Sequence, residues 1–306
     1  MLFFVKRWGC QYDGVVVQMK IVGDIGGYGQ IWEDVLAQLG VGRDFRLPSG
    51  VVVVQVGDLG RLNRRRGGSD LRIVTEADAL IRNNPRQWIQ LIGNHEIGYA
   101  GGPYLPGAWI AHTEIDAKVR VIIANWLTQR VTHLAVAIRD RHTPYLITHA
   151  GLTLQNWLDM GKPNHLAAAY LLNSQLDTDF PHRSRLGAIE RGRPVNPRAD
   201  VCWAMLVDEL YGPWIEYGRQ HPLPFAQIHG HASPWDYEQN AFMSDFPVAW
   251  MGRMRLVQQT RSTLTQIGRG RLGQDIDFVG VDWKCDQGGL QNLPELFAID
   301  TAYAKI

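Results

Sequence analysis

Five times in this chain an apolar, largely β-branched run stops at a residue that can bind a cation or carry a proton. The five segments are MKIVGD (19–24), VVVVQVGD (51–58), WIQLIGNHE (88–96), PYLITHAGL (144–152) and PFAQIHGH (224–231). Short continuous apolar runs suit strands buried on both faces, the environment of a parallel sheet covered by helices. Between the first two runs, GQIWEDVLAQLG carries apolar residues at Ile31, Val35, Leu36 and Leu39, the spacing of one helix face, and Gly40 reads as its C-terminal stop. TEADALIRNN (75–84) reads as a second helix before the third strand. Strands alternating with helices imply right-handed crossovers and a largely parallel sheet. Ligands of such sheets gather beyond the carboxyl ends of the strands. Asp24, Asp58, Asn94, His95, His149 and His231 all fall at such ends.

The rest of the chain is less regular. Within 153–222, LAAAYLLNSQL and ADVCWAMLVDELYGPW read as helices joined by a Pro- and Arg-rich segment (181–198), and the stretch is expected to form a helical insertion or cap over the site. FVGVDW (278–283) and ELFAID (295–300) read as strands. LGQDIDFVGVDW followed by GGLQNL suggests hairpin strands completing a second sheet. The expected organisation is one domain over 19–306. Residues 1–18 are either an extension ahead of a start at Met19 or an extra edge strand, FFVKRW or GVVVQM.

Composition narrows the partners. A formal net charge of +1 over 306 residues gives no global attraction for long nucleic acid or anionic membrane, so anion binding has to come from a local site. Cys10, Cys202 and Cys285 are odd in number and far apart, with neither metal-ligand spacing nor a disulfide framework, which fits a reducing, cytoplasmic setting. No apolar run reaches the ~18 residues that a bilayer span needs. The opening MLFFVKRWGCQYDG is too short and broken for a signal peptide.

A lone Asp at a strand end is usually a cap or turn residue. The five motifs in this order ask for a chemical reason. Two divalent ions about 3.5–4 Å apart can clamp phosphoryl oxygens and activate water against a phosphate ester. They need carboxylates for charge and imidazoles for affinity. The chain supplies two Asp, one Asn and three or more His.

GD-x-x-G, GD, GNHE, HAGL and GH in this order resemble the calcineurin-like metallophosphoesterases. The likeness is nearest to the branch of serine/threonine phosphoprotein phosphatases, bacterial and phage phosphatases and diadenosine tetraphosphatases, and covers roughly 19–300. It implies a β-sandwich flanked by helices, in α-β-β-α layers. It also implies one or two divalent ions, manganese first, with iron or zinc as alternatives. By the same likeness Asp24 ligates the first metal, Asp58 bridges both, and Asn94, His149 and His231 complete the second. His95 is the general acid that protonates the leaving oxygen, and Glu96 orients His95 by accepting its other ring N–H. The implied reaction is attack of a metal-bound hydroxide on a phosphomonoester or nucleotide-like phosphoanhydride, with a small phosphorylated molecule or a phosphoprotein as partner.

The chain departs from that pattern at two places. Asp24-Ile25-Gly26 lacks the histidine of Asp-x-His, and Ser233 stands where a further histidine could serve. Gln30 or His229 is then a candidate substitute, the structural reading of His229 being at least as strong. In the second motif the Asp-Arg pair is absent in register. Arg61 and Arg64, in the basic run 61–68, are the candidate phosphate contacts, with a solvated loop as the plain alternative. Gly26 also supports a second reading, a weakly active or inactive relative used for binding or regulation. The basic run supports a third, a nuclease or cyclic-nucleotide phosphodiesterase.

Overall fold

The computed structural model describes residues 18–60, 69–103, 114–139, 143–188 and 194–232, and beyond them the strands 235–236, 241–242, 254–259, 264–267, 278–281 and 290–292. The first half runs β1 (Gln18–Val22), α1 (Gly29–Leu39), β2 (Val51–Gln55), α2 (Asp70–Asn83), β3 (Trp88–Leu91), α3 (Asn94–Tyr99), α4 (Glu114–Gln129) and β4 (Thr132–His133). Next come β5 (Ala135–Arg139), β6 (Pro144–Thr148), α5 (Leu154–Asp159), α6 (His165–Ser174), α7 (Phe180–Arg183), a π-helical turn (Leu206–Tyr211), α8 (Gly212–Gly218) and β7 (Ala226–His229). The last strands are β8 (Trp235–Asp236), β9 (Ala241–Phe242), β10 (Met254–Gln259), β11 (Leu264–Ile267), β12 (Phe278–Val281) and β13 (Leu290–Asn292).

Two sheets result. The first has the order β13-β1-β2-β3-β4 and is parallel except for β13. The second has the order β11-β10-β12-β7-β6-β5, with a parallel centre from β10 to β6 and antiparallel edges. Strand side chains alternate between faces, and that alternation divides each apolar run between two cores. Met19, Ile21, Val52, Val54, Ile89 and Leu91 of the first sheet meet Val136, Ile138, Tyr145, Ile147, Ala226 and Ile228 of the second. Val22, Val53 and Trp88 point the other way, onto Trp32 and Val35 of α1, Val74 and Ala77 of α2, and Val119 and Trp126 of α4. The outer face of the second sheet, Ala135, Ala137 and Leu146, is covered by Trp157, Ala168, Leu172 and Trp214. The architecture is therefore an α-β-β-α sandwich.

Within 153–222, where a cap over the site was expected, the described helices form the outer layer of the second sheet, with Trp157, Ala168, Leu172 and Trp214 buried against it while Leu166, Tyr170 and Val195 stay exposed. ADVCWAMLVDELYGPW is not one helix: it passes through turns into the π-helical segment and α8. The expected closing hairpin does not form either. β12 lies between β10 and β7, while β13 crosses to the first sheet beside β1. Gly40 does close α1, in a left-handed conformation at φ 68°. ELFAID (295–300) and residues 1–17 lie outside the described residues, and Gln18 is the first residue of β1. Among the described residues no helix is long and apolar enough to cross a membrane.

Candidate metal centre

The strands β1, β2, β3, β6 and β7 deliver Asp24, Asp58, Asn94, His149 and His231 just past their carboxyl ends, and the turns after β2 and β3 are packed backbone to backbone. Gly57 sits at φ +108°, and a Cβ there would lie 2.5 Å from the Gly93 nitrogen. Glycine at 57 thus lets the second and third motifs touch. Asp58 itself is left-handed at φ 56°. Its carbonyl accepts from Ile25 (2.9 Å) and Gly26 (2.8 Å), tying the first motif to the second. Its carboxylate Oδ1 accepts the His95 N–H at 2.9 Å.

The ligand candidates converge. Nδ1 of His149 lies 2.9 Å from the Val56 carbonyl, which can only accept, so Nδ1 carries the proton and Nε2 presents its lone pair to the site. That Nε2 is 3.2 Å from His231 Nδ1, 2.9 Å from the Asn94 amide head and 3.5 Å from Asp58 Oδ2. The Asn94 head is also 3.0 Å from His231 Nδ1. Turned nitrogen-inward, this amide donates to Asp58 Oδ2 at 3.0 Å; turned oxygen-inward, it is a cation ligand. Ligand atoms of Asp58, His149 and His231 all fall within 4.8 Å of one another.

Electrostatics favour a cation there. Burial lowers the His149 pKa against the opposing pull of Asp58, and burial together with His149 pushes His231 down to about 3. Both rings are thus held neutral, the form that ligates metal. Burial alone would raise Asp58, but His149, His95 and His231 outweigh it and keep the carboxyl below its ordinary range. His231 Nε2 is buried without a hydrogen-bond partner among the described residues. Two imidazoles, one carboxylate and one amide oxygen are a donor set suited to Mn²⁺, Fe²⁺ or Zn²⁺, so the residues fit the expected group.

Asp24 is brought beside this cluster and not into it. Its Oδ2 accepts the backbone N–H of His231 at 3.1 Å, and its Oδ1 is 3.9 Å from His149 Nδ1. A Cβ on Gly230 would lie 2.5 Å from that Oδ1, so the fifth motif threads closely past Asp24. Gly26, where an imidazole was missed, is left-handed at φ +59°. Neither substitute reaches the gap. The Gln30 amide bonds Glu33 and Asp34 on the exposed face of α1, both at 3.4 Å. His229 is buried and engaged at both nitrogens, with the Tyr211 hydroxyl at 2.7 Å and the Gly230 carbonyl at 2.9 Å. Its role here is structural.

Glu96 differs from expectation. His95 Nδ1 is paired with the Gly60 carbonyl at 2.7 Å, and both Glu96 oxygens are taken by backbone. Oε1 accepts from Leu59 (2.9 Å); Oε2 accepts from Asp58 (2.8 Å) and Gly93 (2.9 Å). Glu96 is the third residue of α3, so its bond to Gly93 caps the helix that starts at Asn94. Burial, then the Asp58 charge, pushes Glu96 up to about 7. This pin between two turns and the Tyr211–His229 pair went unseen in the sequence; GNHE at a helix start was the one available signal for the former. Arg61 and Arg64 lie outside the described residues.

No family model and no curated protein matches the chain. Solved structures do. A cold-active protein-tyrosine phosphatase of a psychrophilic Shewanella species is 15% identical with a TM-score of 0.48, over 71% of this chain and 66% of that one. A second structure of a cold-active protein tyrosine phosphatase gives 15% and 0.47, over 71% and 65%. A serine/threonine phosphatase from Saccharomyces cerevisiae gives 15% and 0.37, over 74% and 64%. The chain spans about two thirds of the length of the solved structures it matches. At these scores the likeness carries no argument about residues, and the site stands on its own geometry.

Proposed function

We propose that this protein is a metal-dependent phosphoesterase hydrolysing a phosphomonoester or a nucleotide-like phosphoanhydride, carried by a small molecule or a phosphoprotein. The observation that supports it most is the cluster of Asp58, Asn94, His149 and His231 at the carboxyl ends of strands from both sheets, with His95 beside it. Those four residues would hold a divalent ion, manganese first. An ion held there supplies positive charge to a phosphoryl group and lowers the pKa of water.

The remaining work falls to the chain's own groups. Gly60 fixes Nδ1 of His95 as the protonated nitrogen, which leaves Nε2 as the atom that can hand a proton to a leaving oxygen. Asp58 holds His95 from two sides: its Oδ1 accepts the His95 backbone N–H at 2.9 Å and its Oδ2 lies 3.5 Å from the ring Nδ1.

A general acid contributes typically ~10²–10⁴-fold in rate, and matters most for poor leaving groups. His95→Asn is expected to slow hydrolysis of an alkyl phosphate by about that factor and nitrophenyl phosphate far less, with metal content unchanged. Equal losses on both substrates, accompanied by metal loss, would remove His95 from this role.

A second reading is a weakly active or inactive relative that binds phosphorylated ligands. It is favoured by Gly26 together with Asp24, whose Oδ2 is engaged with the His231 backbone. Absence of hydrolysis in the parent protein on both substrates with Mn²⁺, Fe²⁺ or Zn²⁺ would select it.

A further inference from the structure

The π-helical turn Leu206–Tyr211 touches both turns carrying the ligand imidazoles, through Leu210 on Gly151 and Tyr211 on His229. Leu210 N–H reaches back five residues to the Met205 carbonyl at 3.1 Å, which widens the turn. Such bulges occur frequently at functional sites. Leu210 and Tyr211, adjacent in that turn, serve different neighbours. Leu210 packs on Gly151, two residues after His149: Gly151 is at φ +93°, and a Cβ there would run into the Leu210 methyls. Tyr211, fully buried, bonds His229, two residues before His231.

The proton order along that second link follows from the acceptors. The Gly230 carbonyl accepts from His229 Nδ1 at 2.9 Å, so Nε2 carries the lone pair and the Tyr211 hydroxyl donates to it at 2.7 Å. Gly230 N–H in turn donates to the His149 carbonyl at 2.8 Å, joining the two ligand turns. The π-helical segment is itself locked. Glu209, fully buried, accepts the N–H groups of Ala188 (2.8 Å), Asn196 (2.7 Å) and Met205 (2.7 Å).

We infer that Leu210 and Tyr211 are positioning residues which set the 3.2 Å approach of His149 Nε2 to His231 Nδ1, and with it the geometry offered to a divalent ion. This rests on the metal-site reading above. Neither residue touches the ion or the substrate. They act through Gly151 and His229.

The test is Co²⁺ titration of chelator-stripped protein, followed by calorimetry and by the visible ligand-field spectrum. Partners that orient metal ligands typically affect metal affinity by about 10–100-fold. Tyr211→Phe removes one oxygen, and is expected to weaken Co²⁺ binding by about that factor and to shift the spectrum, with unchanged circular dichroism. A folded variant with wild-type affinity and spectrum overturns the inference. Should that variant fail to fold, Leu210→Met carries the test on the same two readouts, since it nearly conserves volume; an unchanged spectrum there overturns it equally. Wild-type protein that binds no Co²⁺ overturns the metal reading, and this inference with it.

Discussion

Replacing Glu96 by Gln separates two roles that the GNHE motif can be given. Three buried N–H groups, of Asp58, Leu59 and Gly93, converge on the Glu96 carboxylate at 2.8–2.9 Å. Gln has the same size but one acceptor atom. Its best rotamer keeps the oxygen on the Asp58 and Gly93 N–H groups and turns the NH₂ toward the Leu59 N–H. A buried donor left unsatisfied costs about 1–3 kcal/mol. The two surviving bonds lose charge assistance, about 1 kcal/mol each. Relief from burying a carboxylate near Asp58 offsets part of this, leaving a net destabilisation of about 2–4 kcal/mol. Asp58 is held at φ 56° beside this pin, so its carboxylate should shift and divalent-metal affinity should fall as well. Urea unfolding in chelator at pH 8 measures the first effect, and Mn²⁺ titration the second. If Glu96 served only to orient His95, stability and metal affinity would stay at wild-type values and only hydrolysis of poor leaving groups would slow. That outcome would refute the structural account.

Two further outcomes are expected. Gly26→His has room, since the nearest atoms to its Cβ are those of the Tyr28 ring at 3.5 Å; φ of +59° should cost about 1–2 kcal/mol, and elemental analysis should show bound metal rising from one ion toward two. Unchanged stoichiometry in the folded variant would mean that this turn does not serve a first-metal ligand. His165, buried at the start of α6, is pushed down to about 4 by burial and by Arg139. The unfolded chain takes up that proton near pH 6.5 and the folded chain only near 4, so the stability is fully present above 6.5 and is lost as pH falls toward 4. His165→Gln should therefore be closer to wild type in urea stability at pH 5 than at pH 7.5, by about 1–2 kcal/mol; a gap independent of pH would refute this.

The strands that carry the site were legible because they are central and parallel. Burial on both faces makes VVVVQ a continuous β-branched run, and Gly-Asp marks where it ends. Elements with mixed exposure were not singled out. α4 buries Val119, Ile123 and Trp126 but leaves Val121 60% exposed, which blurs its period. β5 is a five-residue edge strand ending at the exposed Arg139. The parting of β12 and β13 into different sheets is a choice among distant partners, and local pattern does not encode it. Side-chain identity gave the cluster its members. It could not show that the Glu96 oxygens face backbone, because that depends on the contact between Gly57 and Gly93.

The gap at Gly26 was equally visible in the sequence, yet its meaning depends on what Asp24 does. Read as a ligand motif, Asp24-Ile25-Gly26 is half a site. In the fold, Asp24 Oδ2 accepts the N–H of His231, a non-glycine residue at φ 67°. A left-handed non-glycine residue persists where its surroundings over-determine it. That bond and the close passage of Gly230 past Asp24 are such constraints. Asp24 therefore contributes to the cluster of Asp58, Asn94, His149 and His231 even without a first ion, by fixing the backbone from which His231 projects. An aspartate without a histidine two residues on is then chemically coherent. The Asp24 carboxylate would support an ion held by Asp58, Asn94, His149 and His231 through the His231 backbone, without ligating it. A site of this kind is expected to hold one ion far more tightly than a second.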